Sequence, residues 1–475
     1  MRPALSSRPK LPAGGRWVPG AVGPLLLERF PERGVLKSTA AAWADRAGLV
    51  LLVLAAGTLL FRPADLIPSL AGSTIHKDLV LACLLVSIGH VLHQLSTRSL
   101  RANAITAMVV LLVPAVVTSH LSHGDTYDAR VDGLEMAKAC VFFLLVVGLV
   151  DSVQNFRILL GAVAAAIFTV TALAVAQYYG ALHLPALESV AQHDSGSSES
   201  VVLRLCGIGV FNDPNDFSLY IVASGIVCAL GLCEARTRWR WLLLLPMALF
   251  GYALILTHSR GGLLSAVAAF MVFAVSRFGW RNALMAGLVL SAVFLLPYWG
   301  RQTHLNLSDP EDTFQTRIHL WSESLELFRR SPFFGIGEGQ LVDMTGQVTH
   351  NSFLHAFAEM GVFGGMAFIG AFYLVLIGLW RAAPADSELT RLRPYVLAIV
   401  AGYATGLLSL SRCYTVPTQL ILALGTAYLT LGYRAGGVAL PGLDWTCVRR
   451  VGAIALLFLA ATYVFVRLMM HPVHS

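Results

Sequence analysis

The sequence predicts an all-α fold, a polytopic membrane helical bundle of about 12–13 spans, each built from about 17–25 mostly apolar residues. Three observations predict it. The 475-residue chain is 56% hydrophobic and 13% charged, against roughly 45–50% and roughly 25% in soluble domains. Its mean hydropathy is +0.69. Apolar runs of spanning length recur from about residue 47 almost to the end. A water-soluble enzyme of this length needs charged surface that the sequence does not have. The net charge of +7 is not a nucleic-acid footprint, because the basic residues fall in short clusters between apolar runs.

Read in order, residues 1–45 form a basic cytoplasmic tail rich in Pro and Gly. They contain no apolar core ahead of a small-residue cleavage site, so a cleaved signal peptide is not expected. Residues 46–203 supply the first transmembrane helices, residues 204–380 a central core with a large outer loop at 300–351, and residues 381–475 the last helices. The expected spans are 47–61, 79–95, 103–121, 134–150, 158–179, 217–233, 241–257, 262–276, 283–299, 353–380, 394–410, 417–433 and 451–469. With the N-terminus inside, 22 of the 34 basic residues fall on inner segments and 10 on outer ones, with Lys138 and Arg467 inside spans. Basic loops stay cytoplasmic, so this orientation is the expected one.

Two outer segments are long. Ala181–Asp216 is polar and serine-rich around Gln192–Ser200. In the 300–351 loop, Ile318, Trp321, Leu325 and Phe328 recur at helical spacing, which predicts a helix over 316–330 lying on the membrane surface or packed on the bundle. The turn-rich Ser331-Pro332-Phe333-Phe334-Gly335-Ile336-Gly337 stops it. The seven cysteines have no metal spacing. Cys206 and Cys413 both fall on the outer side, where a disulfide is chemically open.

The chemistry-bearing residues cluster at outer membrane junctions. They are Arg204 with the following Phe211-Asn212-Asp213-Pro214-Asn215-Asp216-Phe217; Ser259-Arg260-Gly261-Gly262; Arg317 four residues before Trp321; and His350-Asn351-Ser352-Phe353-Leu354. Arginines on the side that charge bias disfavours need partners, and three on one face repel unless an anion lies between them. Arg204, Arg260 and Arg317 therefore predict an anion pocket at headgroup level, since guanidinium forks match phosphate oxygens and stay charged. Gly207, Gly209, Gly261 and Gly262 would admit close backbone approach. His350 has the chemistry of a general base, with Asn351 beside it to orient a substrate or the ring. Asp213 and Asp216 read either as caps of the next helix or as partners of Arg204. Arg301, Arg329, Arg330 and Arg412 read as snorkelling anchors. No metal-binding spacing is present.

These motifs, in this order and with the longest outer loop between the second and fourth, resemble the O-antigen ligase and O-antigen polymerase superfamily over roughly residues 200–370. The resemblance implies a GT-C-type glycosyltransferase in the bacterial inner membrane, with its active site on the periplasmic face and no cofactor or metal. It implies an undecaprenyl-pyrophosphate-linked glycan donor, and lipid A-core or another glycan as acceptor. Carried over residue by residue, Arg204 and Arg317 would engage the donor pyrophosphate and His350 would activate the acceptor. Arg260, Asn351, Asn215, Asp213 and Trp321 are further substrate-binding candidates, and the loop helix would cover the donor site. Membrane lipid is a further expected partner, nucleic acid is not, and transfer to protein hydroxyls is a third acceptor class within the superfamily. The competing class is a multi-span anion or lipid-linked glycan transporter or flippase, kept open by Glu359 and Lys138 within spans.

Overall fold

Ten helices among the described residues are long and apolar enough to cross a bilayer. The computed structural model describes residues 39–187, 189–193, 201–285, 287 and 313–470. The longer helices are α1 (Thr39–Phe61), α2 (Ile75–Leu95), α3 (Ala104–Leu121), α4 (Thr126–Leu149), α5 (Val153–Tyr178), α6 (Pro214–Glu234), α7 (Leu244–Leu256), α8 (Arg260–Phe278), α9 (Thr313–Arg330), α10 (Ser352–Arg381), α11 (Ser387–Gly406), α12 (Val416–Ala435) and α13 (Trp445–Met470). Residues 43–475 form one unit.

The all-α membrane bundle is what the apolar runs predicted, with two qualifications. Helices α4 and α12 lie where spans were expected but fall outside the ten. α4 opens with Asp128, Arg130, Asp132, Glu135 and Lys138 before its buried Phe142–Leu149 stretch. α12 is sheltered by other helices, with Pro417–Leu429 buried throughout. The second qualification is a small antiparallel hairpin, Val190–His193 paired with Val201–Arg204 in the register Val190↔Arg204. The expected tail over its first 38 residues, most of the 283–299 span, the serine-rich stretch from 194 and the start of the large loop with Arg301 lie outside the described residues.

Small residues set the helix spacing. Ser265 Oγ of α8 donates to the Gly402 carbonyl of α11 at 2.8 Å. A Cβ on Gly402 would meet Ala269 Cβ at 2.8 Å. Close backbone approach of this kind is how helices associate where lipid removes the hydrophobic drive between them. Loops then gather at two ends. At one end the Arg101 carbonyl accepts from Leu443 N, Arg157 pairs with Glu388 at 3.9 Å, Arg277 with Glu234 at 3.4 Å, and Arg393 donates to the Ala382 carbonyl at 2.7 Å. The segments expected to be inner thus touch one another, and the outer ones meet at the opposite end.

The long helix α10 is broken at Gly361 (φ 63°). A break in a helix orphans backbone groups that need partners. The turn after α9 supplies them: Ile336 N donates to Ala358 O and Gly337 N to Glu359 O, while Val362 N donates to Pro332 O. The predicted loop helix is α9, packed on the bundle. Ile318 and Leu325 bury against Leu354 and Val466, with Trp321, Phe458 and Phe465 closing the cluster. Phe328 meets Phe357 edge-on at 5.8 Å.

Candidate functional site

The hairpin ends on Arg204 at the outer end of the bundle. Its Nε donates to the Thr257 carbonyl at 2.9 Å, and its Nη2 donates to Asn215 Oδ1 at 3.0 Å. Asn215 Oδ1 also accepts from Ser259 Oγ at 2.7 Å. The Asn215 oxygen therefore ties Arg204 to the turn that opens α8, and it is committed inside the protein. Asp213 caps α6, accepting from Asn215 N at 2.7 Å. Ser259 caps α8 through Gly262 N at 3.0 Å, and Arg260 stands exposed as that helix's first residue.

Arg317 joins this group from α9. Its Nε is buried without a hydrogen-bond partner among the described residues. Burial lowers the affinity of the Arg317 guanidinium for its proton; Arg260 lowers it further, Asp213 opposes, and Arg204 adds to the lowering. Arg204 is lowered as well, by burial, against the pull of Asp213 and Cys206. The fields of Arg260 and Arg204 thus converge on Arg317, so that three arginines from three parts of the chain meet here, with Asp213 as the acid reaching both Arg317 and Arg204. An excess of buried positive charge costs free energy unless an anion compensates it.

His350 lies at the same place. Its imidazole is pushed down to about 4 by burial first and then by Arg317, with Asp213 opposing and Arg412 and His355 adding. The ring is therefore neutral at neutral pH. His350 also has φ 52°, a left-handed conformation that costs a non-glycine residue of order 1–3 kcal/mol and collects at functional sites. On either side the backbone is fixed. The Thr349 carbonyl accepts from Trp321 Nε1 at 3.0 Å, and Asn351 caps α10, its Oδ1 accepting from Phe353 N and Leu354 N at 3.2 Å each.

The eight candidate residues thus fall into two groups. Arg204, Arg260, Arg317, Asp213 and His350 form the charged neighbourhood. Asn215, Asn351 and Trp321 hold its framework: Asn215 binds Arg204 and Ser259, Asn351 is a buried helix cap, and Trp321 anchors Thr349 while its ring packs on Phe465 at 5.8 Å. The glycines work on packing. A Cβ on Gly261 would meet Ser409 Oγ at 2.1 Å, and one on Gly262 would meet Ser218 Oγ at 2.3 Å.

Several expectations change here. Arg412 is not a snorkelling anchor: its Nε donates to Asp216 Oδ2 at 2.6 Å, its backbone N donates to Ser352 Oγ at 2.9 Å, and its charge reaches His350. Asp216 partners Arg412, so it neither caps α6 nor pairs with Arg204. Cys206 and Cys413 are both free and buried. Glu359 is a buried acceptor on α10, facing His355 Nε2 at 2.9 Å and accepting from Tyr414 Oη at 2.8 Å and Gly339 N at 3.0 Å. Lys138 pairs with Glu135 one turn away. On the same outer end, His120, Asp125 and Asp128 offer ligand atoms within 4.8 Å of one another, a trio that sequence spacing did not single out.

A multi-pass membrane protein with a cluster of arginines beside a neutral histidine at one end of its bundle is the class that this fold and site define. Residues 245–369 match the O-antigen ligase family model. The matched segment carries Arg260, Arg317 and His350, and it supports the O-antigen ligase/polymerase superfamily as this chain's relatives. No curated protein matches the chain.

Proposed function

We propose that this membrane enzyme of the O-antigen ligase/polymerase type moves a glycan from an undecaprenyl-pyrophosphate donor to a hydroxyl of lipid A-core or of another glycan, at the periplasmic face of the bacterial inner membrane. The observation that carries this reading is the meeting of Arg204, Arg260 and Arg317, with the Arg317 Nε buried and without a hydrogen-bond partner among the described residues. A pyrophosphate offers the charge and the oxygens that these guanidiniums need, each charge-assisted hydrogen bond contributing about 1.5–3 kcal/mol.

In this reaction the acceptor oxygen attacks the anomeric carbon of the donor sugar. Its proton passes to His350, and the bond from that carbon to the pyrophosphate oxygen breaks. The electron pair leaves with undecaprenyl pyrophosphate, whose growing charge the arginines stabilise. No step needs a metal. The orientation is supported by a belt of arginine–tryptophan pairs at the end that carries the basic loops. Arg238 lies 5.3 Å from the Trp239 ring, Arg240 5.0 Å from Trp241 and Arg281 5.7 Å from Trp280. Tryptophans sit at either headgroup layer, and it is the arginines that mark the cytoplasmic side. Glu359 and Lys138, the charges that kept a transporter reading open, each have a partner within the protein: Glu359 faces His355 and accepts from Tyr414, and Lys138 pairs with Glu135.

The test is the glycan profile of a deletion strain together with transfer by purified protein. Lipopolysaccharide reduced to bare core assigns a ligase. Core bearing a single repeat assigns an O-antigen polymerase, and loss of secreted polymer assigns an exopolysaccharide polymerase. Unchanged glycans with altered solute uptake would overturn the proposal in favour of transport.

A further inference from the structure

We propose that Thr349 is a positioning residue for His350, clamped between helix α9 and a buried His355–Glu359 pair on α10, so that the helix gripping the donor also sets the base. The inference rests on the function proposed above and adds to it a mechanical link between the donor grip and the proton acceptor.

Thr349 is fully buried and engaged from three directions. Its carbonyl receives the Trp321 indole N–H at 3.0 Å. Its hydroxyl lies 3.0 Å from Ser324 Oγ and 3.3 Å from His355 Nδ1. Ser324 spends its own proton on the Leu320 carbonyl at 2.7 Å, so the Thr349 hydroxyl donates to Ser324 and keeps its lone pairs for His355. Behind His355, Glu359 faces Nε2 at 2.9 Å and is itself fixed by Tyr414 Oη, Gly339 N and Leu341 N. Glu359 is fully buried and His355 nearly so, which makes the chain a satisfied internal network.

The geometry of α9 gives this network its direction. Arg317, Trp321 and Ser324 follow one another at intervals of four and three residues, and such residues share one face of a helix. The face that presents Arg317 to the pocket therefore also grips Thr349 twice. The next residue, His350, is held in the left-handed region, where a side chain stays only if its neighbours over-determine it. Asn351 fixes the far side as the α10 cap. Movement of α9 as Arg317 closes on a phosphate is thus transmitted to the backbone immediately before His350.

The experiment compares Thr349→Val, which keeps shape and removes the hydroxyl, with Thr349→Ser, which keeps the hydroxyl. Each full-length protein is assayed in lipid nanodiscs with an undecaprenyl-pyrophosphate-linked glycan. The rate at which diethyl pyrocarbonate acylates His350 is followed by mass spectrometry. Thr349→Val should lower kcat about 10- to 100-fold, the effect of misplacing a catalytic group by about 1 Å, with donor KM within about twofold of wild type. Its His350 acylation rate should change several-fold, and Thr349→Ser should stay within about threefold of wild type in kcat. Wild-type kcat and labelling in Thr349→Val would overturn the inference, as would a Thr349→Ser variant impaired as much as the valine. If wild-type protein transfers no glycan, the proposed function fails, while the labelling contrast still decides the role of Thr349.

Discussion

Arg317→Ala should make the protein much less active and no less stable. Among the described residues the Arg317 Nε is buried without a hydrogen-bond partner, and an unsatisfied buried donor costs about 1–3 kcal/mol, more when charged. Arg260 and Arg204 add repulsion that Asp213 only partly offsets. Truncation removes these penalties, and the loss of the side chain's packed methylenes works against that gain. The expected thermal unfolding midpoint in nanodiscs is equal to or above wild type. Activity moves the other way. One lost guanidinium–phosphate hydrogen bond at about 1.5–3 kcal/mol corresponds to roughly 10- to 150-fold in kcat/KM, at about 1.4 kcal/mol per tenfold, and a lost bidentate pair to more. Arg317→Lys keeps the charge without the planar fork and should fall between the two. Titrating each protein with undecaprenyl pyrophosphate should raise the midpoint of wild type and leave that of Arg317→Ala where it was. A variant that unfolds several degrees early yet transfers glycan at the wild-type rate would refute the reasoning, because Arg317 would then be a structural residue.

Further predictions follow from the same geometry. His350 is held at about 4, so its base form is complete above about pH 5; kcat/KM should rise through about pH 4 and stay level across neutrality. Removing Arg317 deletes a contribution that lowers this value, so the His350 resonance in NMR should titrate at higher pH in Arg317→Ala; an unchanged titration would place the two residues out of reach of each other. Gly361→Ala should cost at least about 1–3 kcal/mol, since φ is 63° and the added Cβ would lie 2.3 Å from the Phe333 carbonyl oxygen. Gly57→Ala, whose added Cβ meets nothing within 4 Å beyond its own helix backbone and chain neighbours, should be neutral or stabilising by up to about 1 kcal/mol, and thermal unfolding of both reads the contrast. Transfer should survive EDTA; activity lost to chelation and restored by a divalent ion would point to His120, Asp125 and Asp128.

Much of the bundle was legible because lipid imposes a simple rule on sequence: long apolar runs span, and basic clusters mark one side. The rule was blurred where helices are shielded by protein, as in α4 with its charged first turns. The hairpin carrying Arg204 was missed because its strands have only four residues each, too short for a pattern. At the site, the side that charge bias disfavours singled out Arg204, Arg260 and Arg317, whose charges reach one another, and the same signal applied evenly would have included Arg412. Its partner Asp216 lies 196 residues away, a pairing that no local pattern can show. His355 and Glu359 are four residues apart, a helical pairing visible in sequence, but their relation to Thr349 depends on how α9 packs. Asn215 and Asn351 were read as substrate-binding candidates; their Oδ1 atoms accept from Arg204 and Ser259 and from orphaned helix amides, links that depend on packing.

The structure of the protein bound to its pyrophosphate-linked lipid tests the central claim most directly. The account predicts phosphate density within hydrogen-bonding distance of Arg317 Nε and the Arg204 and Arg260 guanidiniums, with the anomeric carbon on the His350 side. Phosphates seated elsewhere, for instance in the groove of about 800 Å³ between α9 and α13 lined by Arg329, Arg330 and Arg467, would contradict it.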